Sequence, residues 1–383
     1  MIQPTLEVLD RLVGYPTVST DSNLELIDYA ATLLEAVGAR ITRTFDDAGN
    51  KANLFASIGP DVDGGVILSG HTDVVPTEGQ DWTRDPFRLT IEGDRAYGRG
   101  TTDMKGFLAC ALAMAPVFAD AGLATPVHLA LTFDEEEGCH GAKVLLDTLA
   151  QTGPKPAVAI IGEPTRHGIV VANKGCFEFT TEIRGVERHA SMSAAGAGAI
   201  HAAARFIAML DRLADQLAVR APADSMFDPP GTTINVGTIQ GGVARNITAG
   251  SAVLDWEFRP IDPADRDFIL AEVERFVSEE LLPSMREEFP EAEVVTTTVG
   301  AVGGFRPDPD GPATRLARIL TGEETLGAVA FGTEAGLFQE AGISPVVCGP
   351  GDIEQAHKPD EFIELSELDR CLSLMNRLIA ELT

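Results

Sequence analysis

The sequence predicts an α/β fold in which a core domain is interrupted by an inserted α+β domain. Short apolar runs that stop abruptly at polar residues read as buried parallel strands: Val66-Ile67-Leu68 before Ser69-Gly70-His71, Val127 to Phe133 before Asp134, and Val158 to Ile161 before Gly162-Glu163. Segments of helical apolar period stand between or beside them. From about Gly175 the pattern changes to strand, helix, strand, strand, helix, strand, the order of a ferredoxin-like split βαβ unit. A chain of 383 residues is also longer than one hydrophobic core usually grows.

The elements follow in order. Asp21 to Val37 carries Leu24, Leu26, Ile27, Ala30, Leu33, Leu34 and Val37 on a helical period, with Ser22 and Glu25 spaced as a capping box. Ala39 to Phe45 and Asn53 to Ile58 flank the turn Asp46 to Lys51 and read as a hairpin. The His71 strand comes next, then a loop at Asp81 to Phe87, and Gly98 to Gly106 leads into an apolar helix from Phe107 to Phe118. The Val127 strand ends in four consecutive acids, Asp134 to Glu137, and the Val158 strand ends at Glu163. The insert is predicted as strand Cys176 to Arg184, helix Ala197 to Leu217, strands Thr232 to Ile239 and Ala252 to Arg259, helix Pro263 to Leu282 and strand Glu293 to Val299. Beyond the Gly/Pro-rich joint at 303–312 the core resumes with helix Ala313 to Leu320, strand Pro345 to Cys348 and a last helix from Ser366 to Leu382.

Composition narrows the function. Lys and Arg number 29 against 58 Asp and Glu, and the net charge of −29 repels nucleic acid and anionic membrane surfaces alike. The N-terminus lacks a signal peptide's basic start and apolar core, and no apolar run reaches membrane-spanning length, so a cytoplasmic protein is expected. Five scattered cysteines without C-x-x-C spacing indicate neither a disulfide framework nor a thiolate zinc site.

The strand ends hold the candidate chemistry. His71 with Asp73 is either a site at the carboxyl end of a parallel strand or an ordinary structural pair. Asp103 is a ligand or a helix N-cap. The acids at 134–137 are a solvated charge run or carboxylates gathered about a cation. Two histidines, His71 and His357, and three carboxylates, Asp103, Glu136 and Glu163, all lie near element boundaries and could share a crevice. Mixed nitrogen and oxygen donors without thiolate suit zinc, cobalt or manganese in a catalytic site. A further carboxyl group held off the metals could then take a proton from water.

Five stretches carry a family resemblance: Ser69-Gly70-His71-Thr72-Asp73-Val74-Val75-Pro76, Gly98 to Gly106, Asp134-Glu135-Glu136, Gly162-Glu163-Pro164-Thr165 and Gln355-Ala356-His357-Lys358-Pro359-Asp360-Glu361. In this order they resemble the dinuclear-zinc family of acetylornithine deacetylase, succinyl-diaminopimelate desuccinylase, aminoacylase and carboxypeptidase G. The resemblance implies a mixed-sheet zinc-peptidase-like catalytic domain formed by residues 1–174 and 301–383, with an inserted ferredoxin-like lid and dimerisation domain at 175–300. It implies two divalent ions, Zn2+ first and Co2+ as an alternative. His71 and Glu163 would hold one, Glu136 and His357 the other, and Asp103 would bridge them. Asp73 would orient His71, and Glu135 would be the general base.

In the insert, Gly185 to Ser191 resembles the family segment whose histidine reaches the partner subunit's site, which implies that His189 stabilises the oxyanion in a homodimer. Asn235, Asn246 and Arg259 resemble lid positions that bind the substrate's carboxylate. Within the family the block Phe331 to Phe338, with Cys348 to His357, is most similar to the acetylornithine deacetylases, implying release of acetate from N2-acetyl-L-ornithine in arginine biosynthesis. Glu334 is the acidic neighbour suggested for the ornithine ammonium. The rivals are another N-acyl-amino-acid deacylase or desuccinylase on the same machinery and a non-catalytic metal-binding relative.

Overall fold

The computed structural model describes residues 2–192 and 197–383, which fall into two compact units. The first comprises residues 1–171, 307–327 and 333–383, and the second comprises 172–306 and 328–332.

The first unit is built on a mixed eight-stranded sheet. The hairpin Arg40–Phe45 and Ala52–Ile58 pairs antiparallel onto Val127–Thr132; that strand, Val66–His71, Val158–Pro164 and Ser344–Gly349 then run parallel, and Ile169–Asn173 and Leu326–Val329 complete one edge. The strands Ala52–Ile58, Val66–His71, Val127–Thr132 and Val158–Pro164 are buried at every position, which is why they read as unbroken apolar runs and not as alternating ones. The helix Lys105–Asp120 lies on this sheet with Phe107 through Ala115 buried. Close approach explains Gly162: a Cβ there would lie 2.1 Å from the Phe107 ring, so only glycine lets this helix seat beside the strand that presents Glu163.

Three local expectations change. The helix starts at Leu24 with Asn23 as its cap and no side-chain capping bond. Ser22 instead donates to the Asn50 carbonyl, and the Asn23 amide is spent on Ala52 and Thr72, so long-range partners outcompete the capping box. The amphipathic helix Ile2–Val13 and the helix His140–Thr152 are further elements that the chain's strand signals overshadowed.

The second unit carries a four-stranded antiparallel sheet in the order Thr233–Gly241, Ser251–Arg259, Cys176–Arg184, Glu293–Val302. This is the ferredoxin-like order. The two central strands alternate buried and exposed, and Phe177, Phe179, Trp256 and Phe258 stack on the buried face against Phe206 of helix Ala199–Arg220. The predicted helix from Pro263 is capped by Asp262, whose side chain accepts from the Asp265 amide, and it passes through a π-helical turn at Phe276–Leu281. Among the described residues no helix is long and apolar enough to cross a membrane.

One buried histidine gives the first unit a pH dependence. The His128 Nε2–H donates to the Gly64 carbonyl at 3.2 Å while Nδ1 accepts from the Ser57 hydroxyl at 2.8 Å, a pairing that only the neutral ring satisfies. Burial is the main cause that lowers its pKa from 6.5 to about 4. Above pH 6.5 folded and unfolded chains are both neutral here and the pairing is fully stabilising. As the pH falls below that value the unfolded chain takes a proton that the folded one refuses until about pH 4, so stability drops across this window, by up to about 3 kcal/mol. His128→Gln keeps a donor and an acceptor. Urea unfolding between pH 7 and pH 5 should therefore show a shallower loss for the variant than for the wild type, and equal slopes would contradict the assignment.

Candidate metal centre

Every group of the predicted ligand set belongs to the first unit. His71 ends the strand Val66–His71, and Glu163 stands near the end of the adjacent parallel strand Val158–Pro164. Glu135 and Glu136 lie in the turn after Val127–Thr132, Asp103 immediately precedes the helix Lys105–Asp120, and His357 follows the short turn Ile353–Gln355. The carboxyl ends of parallel strands are where open α/β sheets collect their sites.

The structure brings His71, Asp103, Glu136, Glu163 and His357 together. His71 Nε2 lies 3.1 Å from Asp103 Oδ1 and 3.9 Å from Glu163 Oε1. His357 Nε2 lies 3.2 Å from the other oxygen of Asp103 and 3.1 Å from Glu136 Oε1. Two ligand triplets result, His71 with Asp103 and Glu163, and Asp103 with Glu136 and His357; within each the donor atoms all lie within 4.8 Å of one another. Asp103 belongs to both and turns one oxygen to each imidazole, the disposition of a bridging carboxylate.

Electrostatics describe a site crowded with acid. Burial and the charge of Asp103 push the Glu163 carboxyl well above its ordinary range. Burial likewise raises Glu135, reinforced by Glu136 and Glu334 and opposed by His71. Burial works against ionised Asp103, but its hydrogen bonds to His357 and His71 prevail and lower it. The bonds to Asp103 and Glu136 lift His357 to about 10. Divalent cations reverse this logic, holding carboxylates ionised and imidazoles neutral. Two imidazoles, three buried carboxylates and no thiolate fit a pair of such ions in a catalytic setting.

Support for the ligands differs in one respect from the sequence expectation. His71 Nδ1–H donates to the backbone carbonyl of Asp73 at 2.9 Å, while the Asp73 carboxylate stands 3.7 Å from the ring. The carbonyl alone fixes the tautomer that frees Nε2 for a metal. The Asp73 carboxylate accepts from the Glu135 and Glu136 amides at 3.1 and 3.3 Å and from the Ser19 hydroxyl at 2.8 Å, so it also shapes the acidic turn. That turn is strained, with left-handed backbone at Asp134 and Cys139, and His357 and Asp360 on the opposite loop are left-handed too. Lys51 anchors Asp134 with a 2.6 Å ion pair, a contact for which the sequence offers no signal beyond a lone lysine in a hairpin turn.

Glu135 belongs to neither triplet. The Cys139 thiol donates to its Oε1 across 3.6 Å. Glu334 is 1% exposed and accepts from the Ser69 and Thr132 hydroxyls, so its surroundings make it part of the buried floor of the sheet and not the open ammonium partner the sequence suggested.

The remaining candidates lie in the second unit. His189 is exposed, pairs with Ile247, and its Nδ1 accepts from the Ser191 amide, which leaves the proton on Nε2. Asn235 and Asn246 are exposed, and the Asn246 carbonyl accepts from Ala190. Arg259 turns its fork on Glu257, with both contacts at 3.1 Å, so a substrate carboxylate must displace that pair to use it.

Residues 67–381 match peptidase family M20/M25/M40. The chain belongs to that family. Its M20 relatives include an acetylornithine deacetylase of Myxococcus xanthus, 40% identical across 97% of this chain and 96% of that protein. Another, from Klebsiella pneumoniae strain 342, is 32% identical across 99% of this chain and 97% of its own length. Among solved structures, a dinuclear metal-binding M20 peptidase of Bacillus subtilis shares the fold with a TM-score of 0.68, at 16% identity, covering 100% of this chain and 98% of that one. The chain is thus an M20-family hydrolase, with a mixed-sheet zinc-peptidase-like fold and a cluster of metal-binding character.

Proposed function

We propose that this chain removes the acetyl group from N2-acetyl-L-ornithine, giving L-ornithine and acetate in arginine biosynthesis, as a cytoplasmic homodimer. The chemistry rests on one observation, two ligand triplets that meet at Asp103 and leave the adjacent Glu135 outside both. The choice of acyl amino acid is supported by the 40% and 32% identities along nearly the whole chain.

In this reading His71 and Glu163 hold one ion, Glu136 and His357 the other, and Asp103 bridges; Zn2+ is the first choice and Co2+ the second. Bound there, the pair supplies Lewis acidity to an acyl carbonyl and to water. Glu135 takes a proton from the attacking water at its carboxylate. As the water oxygen bonds to the acetyl carbon and the carbon–nitrogen bond breaks, Glu135 gives that proton to the leaving nitrogen. Adjacent Glu136 serves a different task because successive residues of an extended segment face opposite ways. His189 of the partner subunit donates its Nε2–H to the developing oxyanion, and Arg259, with Asn235 and Asn246, receives the substrate's carboxylate.

Acetate release by the purified protein with added Zn2+ or Co2+ tests the assignment. Turnover of N2-acetyl-L-ornithine is expected; hydrolysis of succinyl-diaminopimelate in its place would overturn it. For the cross-subunit role, His189→Ala and Glu135→Ala proteins are each expected to be nearly inactive, and mixing them should restore part of the rate by forming one complete site. No recovery in verified heterodimers would exclude the partner contribution.

A further inference from the structure

The loops bearing Asp103 and His357 are joined by a buried chain of hydrogen bonds that no ligand assignment requires. At its centre is Glu361, four residues after His357 and 1% exposed. Its Oε1 accepts from the amides of Thr102 and of Asp103 itself, at 2.9 and 3.1 Å. Its Oε2 accepts from the Gly100 amide at 2.9 Å and from Arg99 Nη1 at 2.8 Å. The other arm of the Arg99 guanidinium donates to Gln80 Oε1 at 2.6 Å, and Gln80 Nε2 donates to the carbonyl of His357 at 3.0 Å. The circuit therefore starts on the amide of one ligand and closes on the carbonyl of the other.

Two features separate this arrangement from a merely stabilising ion pair. A pair would need Arg99 alone, and apolar residues of the same volume often replace one without loss. Here three amides of a tight loop have their acceptor in Glu361. The His357 loop also lacks other means of support, since His357 is left-handed with φ of 60° and its side chain is half exposed.

We propose that Glu361 is a positioning residue that clamps the Asp103 loop to the His357 loop, through Arg99 and Gln80, and so sets the affinity of the metal position that His357 and Glu136 complete. The proposal rests on the dinuclear reading given above.

Calorimetric titration of the metal-free protein with Zn2+, alongside its melting temperature, provides the test in Glu361→Gln and Gln80→Ala. Wild type is expected to bind two equivalents. Both variants should bind the weaker equivalent about 10–100-fold less tightly, the scale of losing a support behind a ligand. Gln80→Ala should do so with a metal-free melting temperature close to wild type, and it decides the matter if Glu361→Gln does not fold. Two equivalents at wild-type affinity in folded variants, even with a lowered melting temperature, would overturn the proposal and leave the dinuclear reading intact. A wild type that binds fewer than two equivalents would overturn that reading, and the clamp with it.

Discussion

Glu135→Gln is expected to lower kcat for N2-acetyl-L-ornithine by about 10²–10⁴-fold, the contribution of a positioned proton-transfer group, while both metal equivalents stay bound. The amide preserves shape but cannot carry a proton from water to the leaving nitrogen. Little else should move. The turn is held by the Asp73 carboxylate on the amides of Glu135 and Glu136 and by the Lys51–Asp134 pair, none of which uses the Glu135 side chain. Metal content by mass spectrometry and steady-state kinetics check both halves. Loss of both ions would mean that Glu135 is a ligand and that base and ligand have been exchanged.

Asp103→Ala is expected to have the opposite signature, with metal uptake and activity lost together. Both triplets depend on Asp103, each imidazole facing one of its two oxygens, so its removal leaves His71 with Glu163 and His357 with Glu136 as two-donor remnants. His357→Ala, by contrast, should empty one position and spare the other. Because a bound ion stabilises the folded state by RT ln(1 + [L]/Kd), about 2.7 kcal/mol at a hundredfold excess over Kd, the metal-dependent rise in melting temperature should vanish in Asp103→Ala and shrink in His357→Ala. Equal ion retention in the two variants would remove the bridging role from Asp103.

Much of this was legible in the chain for physical reasons. His71 and Glu163 were visible because parallel strands buried on both faces are unbroken apolar runs, and a polar residue where such a run stops must face the crevice at the strand ends. The alternation from Cys176 to Arg184 and from Ser251 to Arg259 announced a sheet with one covered face. Asp103 could not be separated from a helix cap by its neighbours alone. What decides is His357, more than 250 residues away, whose imidazole meets the second oxygen of Asp103.

The illegible part is where partners are chosen across the fold. Ser22 and Glu25 have the spacing of a capping box, yet Ser22 bonds Asn50. Asp73 was read as the support of His71, and its carboxylate holds the acidic turn while its carbonyl takes the ring. Glu334 was read as facing substrate, and two hydroxyls on neighbouring strands take its oxygens instead. A short polar side chain satisfies whichever buried group the folded chain brings near, and nothing in its sequence neighbourhood names that group.

The most direct measurement of the central claim is X-ray absorption at the zinc edge of protein loaded with two equivalents. The account predicts nitrogen and oxygen neighbours without sulfur, and a zinc–zinc vector at roughly 3.5–4 Å, the spacing of two-metal hydrolytic sites. A sulfur shell, or two ions with no such vector, would contradict it.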